Sequence, residues 1–205
     1  MLFRSQDDDW RASLEVGQRI LVCDVGGGTT DFSLIEAVDE DGNLELRRVA
    51  VGNHILLGGD NMDLALSFLL KARLEEQNQN PDSSQMASLL SQAREAKEEI
   101  LSGAKEEVKV VLTGSGSSLF ASSMETFLRR EDVEQVVLKG FFSACEFGEK
   151  PLEKRSAGLR EVGLGYAQDP LILKHLSQFL SQNLDDNGQR SEEHTSELQS
   201  QFRIS

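Results

Sequence analysis

The stretch Val22-Cys23-Asp24-Val25-Gly26-Gly27-Gly28-Thr29-Thr30-Asp31-Phe32-Ser33 sets three glycines between two short apolar runs. Ahead of it, Ile20-Leu21-Val22-Cys23 sits in a β-branched run, Arg19 to Val25, that reads as a buried strand. After it, Asp31 to Ala37 continues with Phe32, Leu34 and Ile35 as a second strand. The glycines therefore join two antiparallel strands. Residues without a β-carbon let backbone N–H groups converge on an anion, and three in a row allow the positive φ values that such a nest needs. Thr29 and Thr30 add hydroxyl donors. Asp24 and Asp31 flank the loop, where two carboxylates can hold a hydrated Mg²⁺ against a polyphosphate, because a hard dication prefers carboxylate, water and phosphate oxygens. No Gly-Lys-Ser/Thr follows, so this is no Walker loop, and a strand rather than a helix follows, so it is no dinucleotide fingerprint. A plain glycine hairpin is the alternative; the flanking acids and threonines favour phosphate binding.

Outward from the loop, Asp39-Glu40-Asp41-Gly42-Asn43 is a turn by composition and Leu44 to Val51 a third strand, giving an antiparallel meander. The period then changes to three and four. Met62, Ala65, Leu66, Leu69 and Leu70 predict a helix through about Glu76, and Met86, Leu89, Leu90, Ala93, Ala96 and Ile100 a second from about Ser84 to Leu101. Val108 to Leu112 reads as a strand, and Gly114-Ser115-Gly116 as a turn into a partner strand at Leu119-Phe120-Ala121. Asp132 to Phe142 is a helix. Leu171, Leu173, Leu176, Phe179 and Leu180 form a last helix with no evident partner at its end. The order is an α+β pattern, with subdomain changes expected near Gly58 and Gly103. Gly58-Gly59-Asp60-Asn61, directly before the first helix, offers either a second phosphate contact on a helix N-terminus or an ordinary cap by Asp60 or Asn61.

Composition bounds the function. Among 205 residues, Lys+Arg is 21 and Asp+Glu is 35, a formal charge of −14. Such a chain repels duplex nucleic acid and anionic membranes. Hydrophobic residues are 39 %, ordinary for a globular chain, and no apolar run approaches a membrane span. Cys23 and Cys145 form no disulfide framework, which favours a reducing cytoplasm. Cys23 reads as core packing, and Ser115 as part of a turn. His54 and His175 stand without a second ligand at metal spacing. Glu95 to Glu107 is a solvated, mixed-charge face.

These residues carry a resemblance. Val22 to Ser33 resembles the second phosphate loop of the DnaK-type seventy-kilodalton heat-shock chaperones, of the actin-like ATPase superfamily. Leu57-Gly58-Gly59-Asp60-Asn61-Met62-Asp63 is similar to the glycine pair that opens the first helix of their outer subdomain. Weaker echoes are Arg94-Glu95-Ala96-Lys97, similar to the adenosine-clasping helix, and Arg130-Glu131-Asp132-Val133-Glu134. The resemblance covers roughly Arg19 to Phe142. It implies an incomplete second lobe of an actin-like (ribonuclease H-like) ATPase with an outer α/β subdomain.

The ligands it implies are ATP or ADP with Mg²⁺. Gly26, Gly27, Gly28, Thr29 and Thr30 would cradle phosphates, Gly58 and Gly59 would approach them across the cleft, and Lys97 would lie along ribose and adenine. Asp24 and Asp31 would position Mg²⁺ waters, and Asp24, Thr29 and Asp31 would serve the hydrolytic step. Arg94 stands where the family usually carries Glu, and Glu98 replaces a common Arg or apolar residue. The implied partners of a full-length parent are unfolded clients, a J-domain co-chaperone and a nucleotide-exchange factor. Its work would be ATP-driven client folding.

The implied organisation is a leader over 1–17, a three-stranded phosphate-loop part over 18–57, the outer subdomain over 58–145, and a charged linker with a returning helix over 146–189. Residues 190–205 and 1–5 read as translated sequencing-adapter DNA, so the chain is expected to be a fragment. Holding half a cleft, it is expected neither to hydrolyse ATP at a useful rate nor to bind it tightly. Two other readings stay open: another actin-like ATPase, such as a sugar kinase or filament protein, and a non-hydrolysing interaction module that keeps the fold.

Overall fold

The computed structural model describes residues 14–113, 123–152 and 169–184. The adapter-like ends and the expected strand at Leu119 to Ala121 lie outside the described residues.

Strands β1 (Arg19–Val25), β2 (Thr30–Glu40) and β3 (Asn43–Val51) form an antiparallel sheet in the order β1-β2-β3, the expected meander. The β2–β3 connection needs only Asp41 and Gly42, both at positive φ (54° and 81°), and the Asp39 carboxylate accepts the Gly42 amide at 2.8 Å. An Asp-Gly pair suits this two-residue turn because glycine and aspartate enter the left-handed region at little cost. A register shift between Leu34 and Ile35 skips Val49, the extra residue on β3. On the near side of that shift the period of two puts Thr30, Phe32 and Leu34 into the core and leaves Asp31 and Ser33 on the other face.

Helices α1 (Gly59–Glu76) and α2 (Ser83–Leu101) pack on each other and on a hairpin of β4 (Glu107–Leu112) and β5 (Met124–Arg129). Leu66, Leu70, Leu74, Leu89, Ala93, Ala96 and Ile100 meet Val110, Leu112 and Leu128 in one continuous core. The described partner of β4 is thus Met124–Arg129, a stretch not read as a strand from the sequence. Its buried Thr126 and Leu128 alternate with exposed Glu125, Phe127 and Arg129. The edge of β4 is closed by a side chain: the Gln92 amide donates to the Val111 carbonyl at 2.9 Å and accepts its N–H at 3.0 Å.

A continuous helical run follows, made of α3 (Arg130–Val133), a π-helical stretch (Glu134–Leu138) and α4 (Lys139–Phe141). Its start is clamped to α1 by Arg73, whose guanidinium forks onto Asp132 at 2.5 and 2.7 Å and donates to the Phe127 carbonyl at 2.9 Å. The last helix, α5 (Ile172–Asn183), does find a partner. Phe179 stacks on Phe32 of β2 with ring centroids 5.8 Å apart, and a β-carbon on Gly52 would stand 3.2 Å from the Phe179 ring. No helix among the described residues is long and apolar enough to cross a membrane.

Candidate functional site

The register of β1 against β2 builds the site from the strands upward. Val25 pairs with Thr30 and Asp24 with Asp31, so Gly26 to Thr29 span the tip, closed by a 2.7 Å bond from the Gly26 amide to the Thr29 carbonyl. Directly opposed residues of an antiparallel pair project to the same face, with β-carbons about 5 Å apart. Asp24 and Asp31 therefore stand side by side at the base of the loop, on the face away from Phe32. Two like charges so placed repel, which leaves an uncompensated cost unless a cation shares them. Asp31 has a local partner: its Oδ1 lies 2.8 Å from His54 Nδ1. Asp24 is exposed and makes no ion pair or side-chain hydrogen bond with any described residue.

The segment after β3 brings His54 there. Thr30 and Ile55 exchange backbone hydrogen bonds at 2.9 and 3.1 Å, so residues 53–57 run back along the start of β2. Thr30 is fully buried and its hydroxyl donates to the Leu57 carbonyl at 2.8 Å. That hydroxyl braces the loop from beneath, unlike the ligand-facing donor the sequence suggests.

At the tip, no described acceptor meets the amides of Gly27, Gly28 or Thr29. The carbonyls of the same loop are engaged on the other side. Gly26 and Gly27 accept the amides of Gly59 at 3.0 Å and Asp60 at 2.7 Å, the first turn of α1. The loop thus caps a helix with its carbonyls while its amides stay available. The glycine pair does not offer its amides to a ligand, because Gly59 donates to Gly26 and the Gly58 amide to Asn61 Oδ1 at 2.9 Å. Neither Asp60 nor Asn61 is the N-cap: Gly58 holds that position, and Asn61, on the first turn of α1, reaches back to its amide.

The reason for the glycines also differs from expectation. None of Gly26, Gly27 and Gly28 adopts a positive φ. A β-carbon would meet nothing closer than 3.4 Å at Gly26, 3.9 Å at Gly27 and 3.7 Å at Gly28. Their bareness keeps the surface at the loop tip open instead of permitting a strained backbone. The glycine that space demands is Gly58, where a β-carbon would lie 2.5 Å from the Gly26 carbonyl oxygen and 2.6 Å from that of Gly27.

Behind the glycine pair lies a network of charges. Asp63, buried on α1, sits 2.6 Å from Lys97 Nζ and accepts Arg94 Nε at 2.7 Å; Arg94 also reaches the Asp60 carboxylate. The Lys97–Asp63 approach is an ion pair without hydrogen-bond alignment. A β-carbon on Gly59 would be 3.7 Å from Lys97 Nζ, so Lys97 stands next to the loop's supporting turn. Burial, with Asp24 adding to it, pushes the Cys23 thiol up to about 11, and Cys23 packs half-buried against the core.

The expected site residues Asp24, Gly26, Gly27, Gly28, Thr29 and Asp31 are therefore on one hairpin, with Gly58, Gly59 and Lys97 directly behind it. Sequence reading missed His54 and Asp60. His54 lies 23 residues from Asp31, and only the register of the returning segment joins them. Among the described residues no group of three or more His, Cys, Asp or Glu side chains is arranged to hold a metal ion. The pair Asp24 and Asp31 suits a cation held through its water shell, as Mg²⁺ commonly is. The bare amides above them suit phosphate oxygens.

Comparison with known proteins gives two findings. A family model described as Hsp70 protein matches residues 8–158. Among curated proteins, a chaperone protein DnaK from Psychrobacter cryohalolentis is 28 % identical over 170 residues, which is 80 % of this chain and 26 % of the relative. The chain spans about a quarter of the length of that relative.

Proposed function

This chain belongs to the Hsp70 family, and on that premise we propose that it forms the phosphate-gripping half of a chaperone's ATP cleft. One observation carries the reading: a single hairpin holds, at its tip, amides that meet no acceptor among the described residues and, at its base, two facing carboxylates. The amides of Gly27, Gly28 and Thr29, with the Thr29 hydroxyl, bind the terminal phosphate oxygens. Gly26 closes the loop, and Thr30, Gly58 and Gly59 hold it from behind. Asp24 and Asp31 orient the water shell of Mg²⁺, which when bound neutralises the phosphate charge. Asp31 is fixed by His54. Asp24, exposed and without a partner among the described residues, is the group available to orient a water for attack and hold its proton at the carboxylate. Lys97, its ammonium tied to Asp63, is assigned to the nucleoside.

Phosphoryl transfer to water asks for placement and charge neutralisation more than covalent chemistry from the protein. Half a cleft supplies half of that placement. ATP hydrolysis, the gating of client binding, and contacts with a J-domain co-chaperone and an exchange factor are accordingly assigned to a full-length, cytoplasmic parent. Calorimetric titration of the 205-residue chain with ADP tests the reading. The wild type is expected to bind weakly, more tightly with Mg²⁺ than with EDTA, and Asp24→Asn to lose most of that difference. Equal affinity with and without the metal in the wild type would sink it.

A further inference from the structure

We propose that Arg94 is a polyphosphate ligand of the glycine loop, parked on Asp60 until the anion arrives. This deepens the phosphate-loop reading and rests on it. The Asp60 carboxylate oxygens lie 3.9 and 3.7 Å from the places where β-carbons on Gly27 and Gly28 would stand. The Asp60 amide is fixed to the Gly27 carbonyl at 2.7 Å. An anion on the loop amides is thus brought beside a carboxylate of the same sign, and the cation nearest to hand is the one already bonded to that carboxylate.

Two cations stand behind the loop, and burial separates their roles. Lys97 and Asp63 have side chains only 11 % and 2 % exposed, so parting them would strand a buried charge. Arg94 and Asp60 are 50 % and 55 % exposed, and parting them strands nothing. Arg94 uses one edge of its guanidinium for both carboxylates, Nε donating to Asp63 Oδ2 at 2.7 Å and Nη2 to Asp60, and its Nη1 meets no acceptor among the described residues. A guanidinium has five donors in a planar fork that matches phosphate as well as carboxylate. It can keep Nε on Asp63 and turn its outer edge from Asp60 to phosphate. Asp60 is then a competitor for Arg94, and its removal should favour the ligand.

The test is calorimetry on the 205-residue chain with Mg-pyrophosphate, Mg-ADP and adenosine, for wild type, Arg94→Ala and Asp60→Asn. Loss of a charge-assisted contact corresponds to about a tenfold weakening. Arg94→Ala is expected to lose about tenfold for pyrophosphate and ADP and to leave adenosine unchanged. Asp60→Asn, which keeps the shape of the side chain, is expected to tighten pyrophosphate severalfold. Asp60→Asn also relieves the carboxylate's own repulsion of the anion, so the tightening belongs to Arg94 only if the double variant Arg94→Ala with Asp60→Asn loses it. A double variant that binds pyrophosphate as tightly as Asp60→Asn overturns the proposal, and a misfolded variant cannot produce tightening. If the wild type binds pyrophosphate and neither variant changes it, Arg94 is no ligand and the phosphate-loop reading survives. If Arg94→Ala weakens adenosine as much as pyrophosphate, the assignment to phosphate is wrong. If the wild type binds none of the three, the loop reading falls and takes this one with it.

Discussion

Gly58→Ala isolates the contact on which the site is built. The φ of Gly58 is −171°, extended backbone open to any residue, so only space excludes a side chain. The new methyl would stand 2.5 and 2.6 Å from two carbonyl oxygens, against about 3.3 Å for an ordinary close carbon–oxygen approach. Loop and helix must therefore separate by roughly 0.8 Å. That separation strains the bonds from Gly59 to Gly26 and Asp60 to Gly27, each worth about 0.5–1.5 kcal/mol. Overpacking adds about 1–3 kcal/mol, and the stiffer unfolded chain returns about 0.4–1 kcal/mol. The net expectation is a loss of roughly 2–4 kcal/mol, or on the order of 10 °C in Tm for a chain of this size. Urea unfolding followed by circular dichroism measures it. The control is Gly27→Ala, whose methyl meets nothing nearer than 3.9 Å and should leave stability within about 1 kcal/mol of the parent. A stable Gly58→Ala, or a Gly27→Ala just as damaged, would refute the packing of loop on helix.

Gln92→Ala should leave the N–H and C=O of Val111 without their partner on the β4 edge, at about 1–3 kcal/mol by urea denaturation; an unchanged midpoint would show that water replaces the amide freely. At Asp132 burial alone would raise the carboxyl, but the Arg73 fork and the Arg129 amide outweigh it and hold the carboxyl below its usual range. A lowered folded value means a contribution that is whole above about pH 4 and lost as pH falls through the folded value. The stability gap between wild type and Asp132→Asn should then be constant from about pH 7 to 5 and narrow below about 4; a gap that stays level in acid contradicts it. Cys23, with its thiol pushed up to about 11 by burial and then Asp24, should resist alkylation at about pH 8 until the chain unfolds. Labelling that matches the rate of the unfolded chain would place Cys23 outside the core.

The local elements were legible because their signals are short-range. The apolar run before Gly26, the Asp-Gly turn and the three-four spacing of α1 and α2 each fix a few neighbouring residues, and those elements form within a few residues of where the patterns put them. The two acids were legible as flanks of the loop, but that they face each other follows from the pairing of Val25 with Thr30, one residue before the expected start of the second strand. What the sequence hid is long-range pairing. The strand Met124–Arg129 carries two charges on its outer face and reads as polar surface until β4 is laid beside it. The partner of α5 is Phe32, far away in the chain, and nothing near Phe179 announces it. At the site, three glycines suggest a backbone twisted to positive φ, whereas the chain uses them to leave a surface bare and places a sterically obligatory glycine on the other side of the contact, at Gly58. Thr30 and Thr29 look equivalent in sequence; the period of two buries the first under the loop and leaves the second at its tip.

The most direct measurement is an amide-resolved NMR titration of the uniformly ¹⁵N-labelled chain with Mg-ADP. The backbone N–H resonances of Gly27, Gly28 and Thr29 should move first and furthest, with Gly59 and Asp60, already bonded to the loop carbonyls, moving less. Shifts that begin elsewhere and leave those three amides in place at saturating ligand would contradict the assignment of this hairpin as the phosphate grip.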